Sequence, residues 1–172
     1  MDDDGDLDAS VANGQGQPDK IWVNDGNGNF TDSGQSLGTS DSYGVSLGDV
    51  DDDGDLDAFV ANDDNEANKV WINDGNGTFT DSGQSLGSSN SINVSLGDVD
   101  DDGDLDAFVT NRSQGNKVFI NDGSGTFTDS GQSLGSSFSW GLELGDVDDD
   151  GDLDAFVANV GNEPNKAWTN DG

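Results

Sequence analysis

The sequence predicts an all-β fold: a β-propeller built from four-stranded antiparallel blades, with about 3.5 blade repeats in 172 residues. Three observations carry this. A block of about 49 residues recurs along the chain, each block contains four short runs suited to strands, and the acidic residues gather between the apolar runs at fixed spacing. Periods of roughly 40–50 residues with four strands each are the pattern of propeller blades. The missing 3.6-residue periodicity and the glycine content exclude helical repeats. A parallel solenoid or an open stack of sheets is the alternative arrangement of the same strands.

The period is set by the glycine of Asp-Asp-Asp-Gly-Asp-Leu-Asp, found at Gly5, Gly54, Gly103 and Gly151 in steps of 49, 49 and 48. Lys20, Lys69, Lys117 and Lys166 keep the same rhythm. A single repeat domain over 1–172 follows, with blade repeats at about 1–38 (partial), 39–87, 88–135 and 136–172 (partial). In the second block, strand A ends at 45–48 and alternates apolar with small or polar residues. Strands B (58–62) and C (69–73) are nearly continuous β-branched and aromatic runs, which suits burial on both faces. Asp74-Gly75-Asn76-Gly77 supplies residues that tolerate positive φ in a hairpin, and strand D opens at 78–81. A lone sheet of this kind cannot hide its apolar groups, whereas neighbouring sheets can cover one another. Trp22, Trp71, Phe119 and Trp168 share one strand C position and are expected in the core, with the repeated lysines paired to nearby aspartates.

Composition narrows the function. With 37 acidic and 5 basic residues the formal charge is −32, and there is no Cys or His. Disulfides, thiolate or imidazole metal sites and Ser-His-Asp chemistry are thereby excluded. So acidic a surface repels phosphate backbones, so nucleic acid is not an expected partner; cations are attracted. No apolar run approaches the roughly 18–20 residues of a membrane span, and no membrane insertion is expected. Met1 leads directly into Asp2-Asp3-Asp4, unlike a signal peptide, so export requires a signal outside these residues.

The recurring acidic loop reads as a calcium site. Asp49, Asp51, Asp53, Asp55 and Asp57 occupy alternate positions around Gly54, which permits a sharp reversal. Hard oxygen donors at this spacing suit Ca²⁺, with Asp55 giving its backbone carbonyl and the other four their side chains. Two more complete copies are Asp98, Asp100, Asp102, Asp104 and Asp106, and Asp146, Asp148, Asp150, Asp152 and Asp154. A truncated fourth copy keeps Asp2, Asp4, Asp6 and Asp8. An EF-hand would need an acidic residue at its twelfth position, where Val60, Val109 and Val157 stand. The metal is therefore held between strands and is expected to stabilise the fold.

Taken together, Tyr43-Gly44-Val45-Ser46-Leu47-Gly48, the following Asp-x-Asp-x-Asp-Gly-x-x-Asp and the next apolar strand resemble the FG-GAP repeat of integrin α-subunit propellers. The Asn-Asp-Gly-Asn-Gly-Thr-Phe-Thr stretch at 73–80 is similar to the related bacterial VCBS repeats. The resemblance covers the whole chain. It implies calcium in the A–B loop, on the side opposite the usual ligand face, and a role in adhesion, recognition or spacing, in an extracellular or cell-surface setting. Such propellers are commonly seven-bladed, and this chain holds about half that number.

The repeats differ from one another in two places, the B–C loops and the segment entering strand A. Both emerge at one end of a meander. The variable residues Tyr43, Arg112, Phe138 and Trp140 form a candidate ligand face for a protein or glycan; drifting loop positions or plugs of a central channel would show the same variation. The chain begins with three strands of a blade and ends with three of another, and self-association is expected, as a homodimer or higher assembly that completes the propeller, or as a fibre. The expected function is a noncatalytic, calcium-stabilised binding or scaffold module. The competing reading is a carbohydrate-active enzyme, a glycosidase or lyase with paired carboxylates, for which Glu143 is the best candidate because it replaces Ser46 and Ser95.

Overall fold

The computed structural model describes residues 1–2 and 4–172, and among them the chain forms fourteen β-strands and no helix. The strands make four antiparallel meanders in sequence order. The first sheet is β1 (Ala9–Val11), β2 (Lys20–Asn24) and β3 (Phe30–Asp32); the second is β4 (Ser42–Gly48), β5 (Asp57–Asn62), β6 (Lys69–Asn73) and β7 (Phe79–Asp81). The third is β8 (Ser91–Gly97), β9 (Asp106–Asn111), β10 (Lys117–Asn121) and β11 (Phe127–Asp129). The fourth is β12 (Ser139–Gly145), β13 (Asp154–Asn159) and β14 (Lys166–Trp168). Strand A of each repeat is longer than its sequence pattern indicates, starting at Ser42 and its equivalents.

Burial follows the strand order. Strands β5 and β9 are buried at every residue, as their unbroken apolar runs require, while β13 and β1 are only partly covered. The central core joins the second and third sheets through Phe59, Val70, Val94, Val109, Phe119 and Phe127. Phe59 meets Phe127 edge-to-face, with ring centroids 5.3 Å apart and planes at 82°, a geometry worth about 1 kcal/mol beyond area burial. Equivalent clusters join the first sheet to the second around Ile21, Leu37 and Phe79, and the third to the fourth around Phe108, Val118 and Val157.

Strand A of one sheet lies against strand A of the next. A Cβ at Gly44 would stand 2.9 Å from both the Ile92 carbonyl and the Asn93 Cα, so β4 approaches β8 this closely only because residue 44 lacks a side chain. Each strand A also carries a register shift, between Ser42 and Gly44, Ser91 and Asn93, and Ser139 and Gly141. The extra residues are Tyr43, Ile92 and Trp140, and the bulge re-aims them relative to the ladder.

Polar clasps recur between sheets. The Gln35 amide oxygen accepts from Phe79 N (2.8 Å) while its Nε2 donates to the Gly77 carbonyl. Gln84 repeats this on Phe127 N (2.8 Å) and Gly125 O (2.7 Å). Asn73, Asn121 and Asn170 donate Nδ2 to the carbonyls of Met1, Val50 and Val99, at 3.1, 2.8 and 2.7 Å. Lys20, Lys69 and Lys117 pair with Asp32, Asp81 and Asp129 at 3.3, 3.4 and 3.1 Å; these pairs are partly exposed and each is worth under about 1 kcal/mol. Gln84→Ala is expected to lower stability by about 2 kcal/mol through two lost inter-sheet hydrogen bonds, measured by urea denaturation, whereas Gln132→Ala, at an exposed position, stays within about 0.5 kcal/mol of the parent.

Candidate metal centre

Each acidic loop is wound by its own carboxylates. In the β4–β5 loop, Asp49 accepts from Asp53 N (3.1 Å) and Gly54 N (2.9 Å), and Asp53 accepts from Asp55 N (2.9 Å). Asp52 is left-handed (φ 61°) and Gly54 sits at φ 96°, a value that side chains resist. Asp101 and Asp149 repeat the left-handed residue, at 63° and 65°.

The last aspartate of each loop is a strut. Asp57 is fully buried; one oxygen accepts from Val50 N (3.0 Å) and the other from Asn73 N (2.8 Å), which ties the loop to the end of strand C. Asp106 does the same with Val99 and Asn121 (3.0 and 2.9 Å), and Asp154 with Val147 and Asn170 (both 2.8 Å). Alternate spacing alone does not separate this role from that of a ligand; the signal is the Asn that closes strand C 16 residues after the last aspartate, or 15 in the third sheet.

Acidic oxygens converge in all three complete loops. Those of Asp49, Asp51 and Asp53 lie within 4.8 Å of one another, as do those of Asp98, Asp100 and Asp106, and of Asp146, Asp148 and Asp154. Two oxygens bound to one Ca²⁺ at about 2.4 Å are at most about 4.8 Å apart, so the spacing fits. Asp51 Oδ1 and Asp98 Oδ1 are shielded from solvent without a hydrogen-bond partner among the described residues, an arrangement that a cation would satisfy. Asp102 and Asp150, matched in sequence to Asp53, fall outside the convergent sets. The side chains of Asp55 and Asp104 lie over Gly75 and Gly123 of the next hairpin, where a Cβ would collide with the carboxylate; Asp6 and Asp152 take the same place at Gly26 and Gly172. The truncated loop forms no convergent set among the described residues. Asp2 and Asp4 accept from Asp4 N (3.4 Å) and Asp6 N (2.9 Å), and Asp8 accepts from Asn24 N (2.9 Å) while pairing with the Met1 ammonium at 3.4 Å.

Gathering these groups opposes their ionisation. Burial, then the neighbouring charges of Asp53 and Asp49, push Asp51 up. Burial raises Asp57 to about 6 against its backbone hydrogen bonds. Asp100, Asp104, Asp106, Asp148 and Asp152 are raised as well, first by burial and then by adjacent aspartates, except that in Asp106 backbone hydrogen bonds are the second influence and oppose the rise. In Asp154 the hydrogen bonds from Asn170 and Val147 prevail and lower it.

The opposite end of the sheets brings together all four candidate ligand-face residues. Arg112 pairs with the buried Asp63, and its guanidinium lies 6.0 Å from the Tyr43 ring centroid and 5.7 Å from that of Phe138. Phe138 is 5.7 Å from Trp140. The bulged Tyr43 and Trp140 are 47% and 51% exposed, which leaves aromatic surface facing solvent. Asp41, Asp63 and Asp64 also converge here, a cluster that sequence reading missed because its members come from two loops; the Arg112 guanidinium supplies a positive charge beside it.

Serial antiparallel meanders with an acidic loop after each strand A define an all-β repeat protein with acidic corners. The FG-GAP-like repeat family matches at residues 1–60, 49–109 and 98–157, and the chain belongs to that family. No curated protein matches the chain. Among solved structures, a Photorhabdus luminescens Tc holotoxin pore is similar at 17% identity with a TM-score of 0.47, over 92% of this chain and 8% of that one.

A raised carboxylate pKa means that the folded state binds a proton more readily than the unfolded chain, so stability falls as pH rises through the folded value. Metal-free protein is expected to melt at a higher temperature near pH 5 than near pH 7.5, the change lying between the ordinary 3.8 and about 6 for Asp57. Asp57→Asn should flatten that slope, as followed by thermal melts in chelator.

Proposed function

We propose that the chain is a noncatalytic, calcium-stabilised β-propeller module that works as an extracellular or cell-surface scaffold, and that the end opposite the metal loops recognises a protein or glycan. The observation that carries the reading is the threefold recurrence of convergent acidic oxygens at one corner of successive sheets. Approach of β4 to β8 through glycine supports a radial arrangement, with the A strands β4, β8 and β12 innermost. Asp49, Asp51 and Asp53, and the matching sets in the later loops, would hold the ion. Bound Ca²⁺ would supply the positive charge that lets these loops fold while ionised. The chain's own part is to fix the loop through the Asp57, Asp106 and Asp154 struts. Three filled sites suit an environment rich in calcium, where modules of about 10⁻⁴–10⁻³ M affinity are occupied.

At the other end, exposed Tyr43 and Trp140 offer flat aromatic faces, and Arg112, held by Asp63, lies beside the Tyr43 and Phe138 rings. Aromatic anchors around a held arginine are the composition of recognition hot spots.

Each site filled at a hundredfold its Kd adds about 2.7 kcal/mol, and each kcal/mol moves Tm by about 2–4 °C at this length. Chelation is therefore expected to lower Tm by more than about 10 °C, and the double substitution Asp98→Asn with Asp100→Asn to remove about a third of the calcium-dependent gain. An unchanged Tm in chelator would end the metal reading. On a glycan array with a parallel protein-ligand screen, Trp140→Ala is expected to lose binding at unchanged Tm. Hydrolysis of a bound glycan that disappears in Glu143→Gln would establish an enzyme instead.

A further inference from the structure

The two outer faces of the four-sheet stack are halves of the contact that joins its inner sheets. Phe59 and Phe108, at equivalent places on β5 and β9, are 0% and 4% exposed because the next sheet covers them, whereas Phe156 on β13 is 48% exposed. On the other side, Phe79 and Phe127 are 7% and 5% exposed against the preceding sheet, and their counterpart Phe30 is 49% exposed. The missing pairing is the one seen between Phe59 and Phe127.

Two further features match in the same register. A Cβ at Gly48 would meet Leu105 at 2.7 Å, and one at Gly97 would meet Leu153 at 2.9 Å, so these glycines receive the loop leucine of the following sheet. Gly145 has nothing within 4 Å, and Leu7, the loop leucine of the first sheet, is 87% exposed. Asn73, Asn121 and Asn170 each donate Nδ2 back to a loop carbonyl of the preceding repeat, while the Nδ2 of Asn24, their counterpart, donates only to the Leu7 carbonyl of its own loop among the described residues. The carbonyl that corresponds to Val50 O and Val99 O on the fourth sheet is that of Val147.

We infer that a second copy of this chain docks head to tail, its first sheet on the fourth sheet of its neighbour, with Phe30 on Phe156, Leu7 over Gly145 and Asn24 on the Val147 carbonyl. The contact is heterologous: the two surfaces differ, so each copy keeps one of each. It stands apart from the ligand end, since none of these residues lies there.

The test is light scattering and sedimentation of the full chain in calcium, where one chain weighs 17.8 kDa. The parent is expected at two chains or more. Phe156→Ser and Phe30→Ser should each weaken association at least tenfold with unchanged melting, because both positions are exposed and Ser10 already stands at the Phe156 place in the first sheet. An equimolar mixture of the two variants retains one intact contact and should recover a two-chain species. A folded parent of single-chain mass, self-association surviving in either variant, or a mixture that stays monomeric would each overturn the inference.

Discussion

Apolar residues on both faces of strand B, above all in β5 and β9, govern this molecule. Burying Phe59 or Val109 contributes about 1.5–3 kcal/mol each, and no four-stranded meander can bury both of its own faces. Every sheet therefore depends on the sheets beside it, and the gradient from fully buried β5 and β9 to half-covered β1 and β13 is the visible result. The low apolar content suffices because these residues are concentrated where two sheets meet.

That packing brings charge together at one end. Antiparallel meanders return every A–B and C–D connection to the same side, so each acidic loop lies against the C–D hairpin of its own sheet, its Asp55-type carboxylate over a glycine, and Val50 and Asp51 also reach Gly125 in the hairpin of the next repeat. The carboxylates are stripped of water by the same contacts that bury the core, which is why Asp51 and Asp57 resist ionisation. Like charges held this way favour a hard cation. At the other end, freedom from this constraint permits variation, and a bulge in each strand A directs the varying side chain; in two repeats it reaches solvent.

The strands, their order and the acidic loops were legible in the sequence because each depends on local chemistry: β-branched runs, Asp-Gly turns and a fixed spacing. Tyr43, Arg112, Phe138 and Trp140 could be singled out because near-identical repeats expose the places where they differ, and the structure sets them side by side. The strut role of Asp57, the Gln84 clasp and the Asp41–Asp63–Asp64 cluster were not. Their partners lie in another loop or another repeat, and nothing in the local sequence records which carboxylate oxygen faces which backbone N–H.

By itself the sequence determined the repeat period, the antiparallel meander of each unit and the gathering of acids into one kind of turn, because hydrophobic alternation and turn stereochemistry act over a few residues. The tertiary structure alone decided how sheets meet. Close approach at Gly44, the pairing of Phe59 with Phe127 and the open faces at Phe30 and Phe156 arise from distances between residues far apart in the chain, and those distances are set by packing volume and not by any neighbour in sequence.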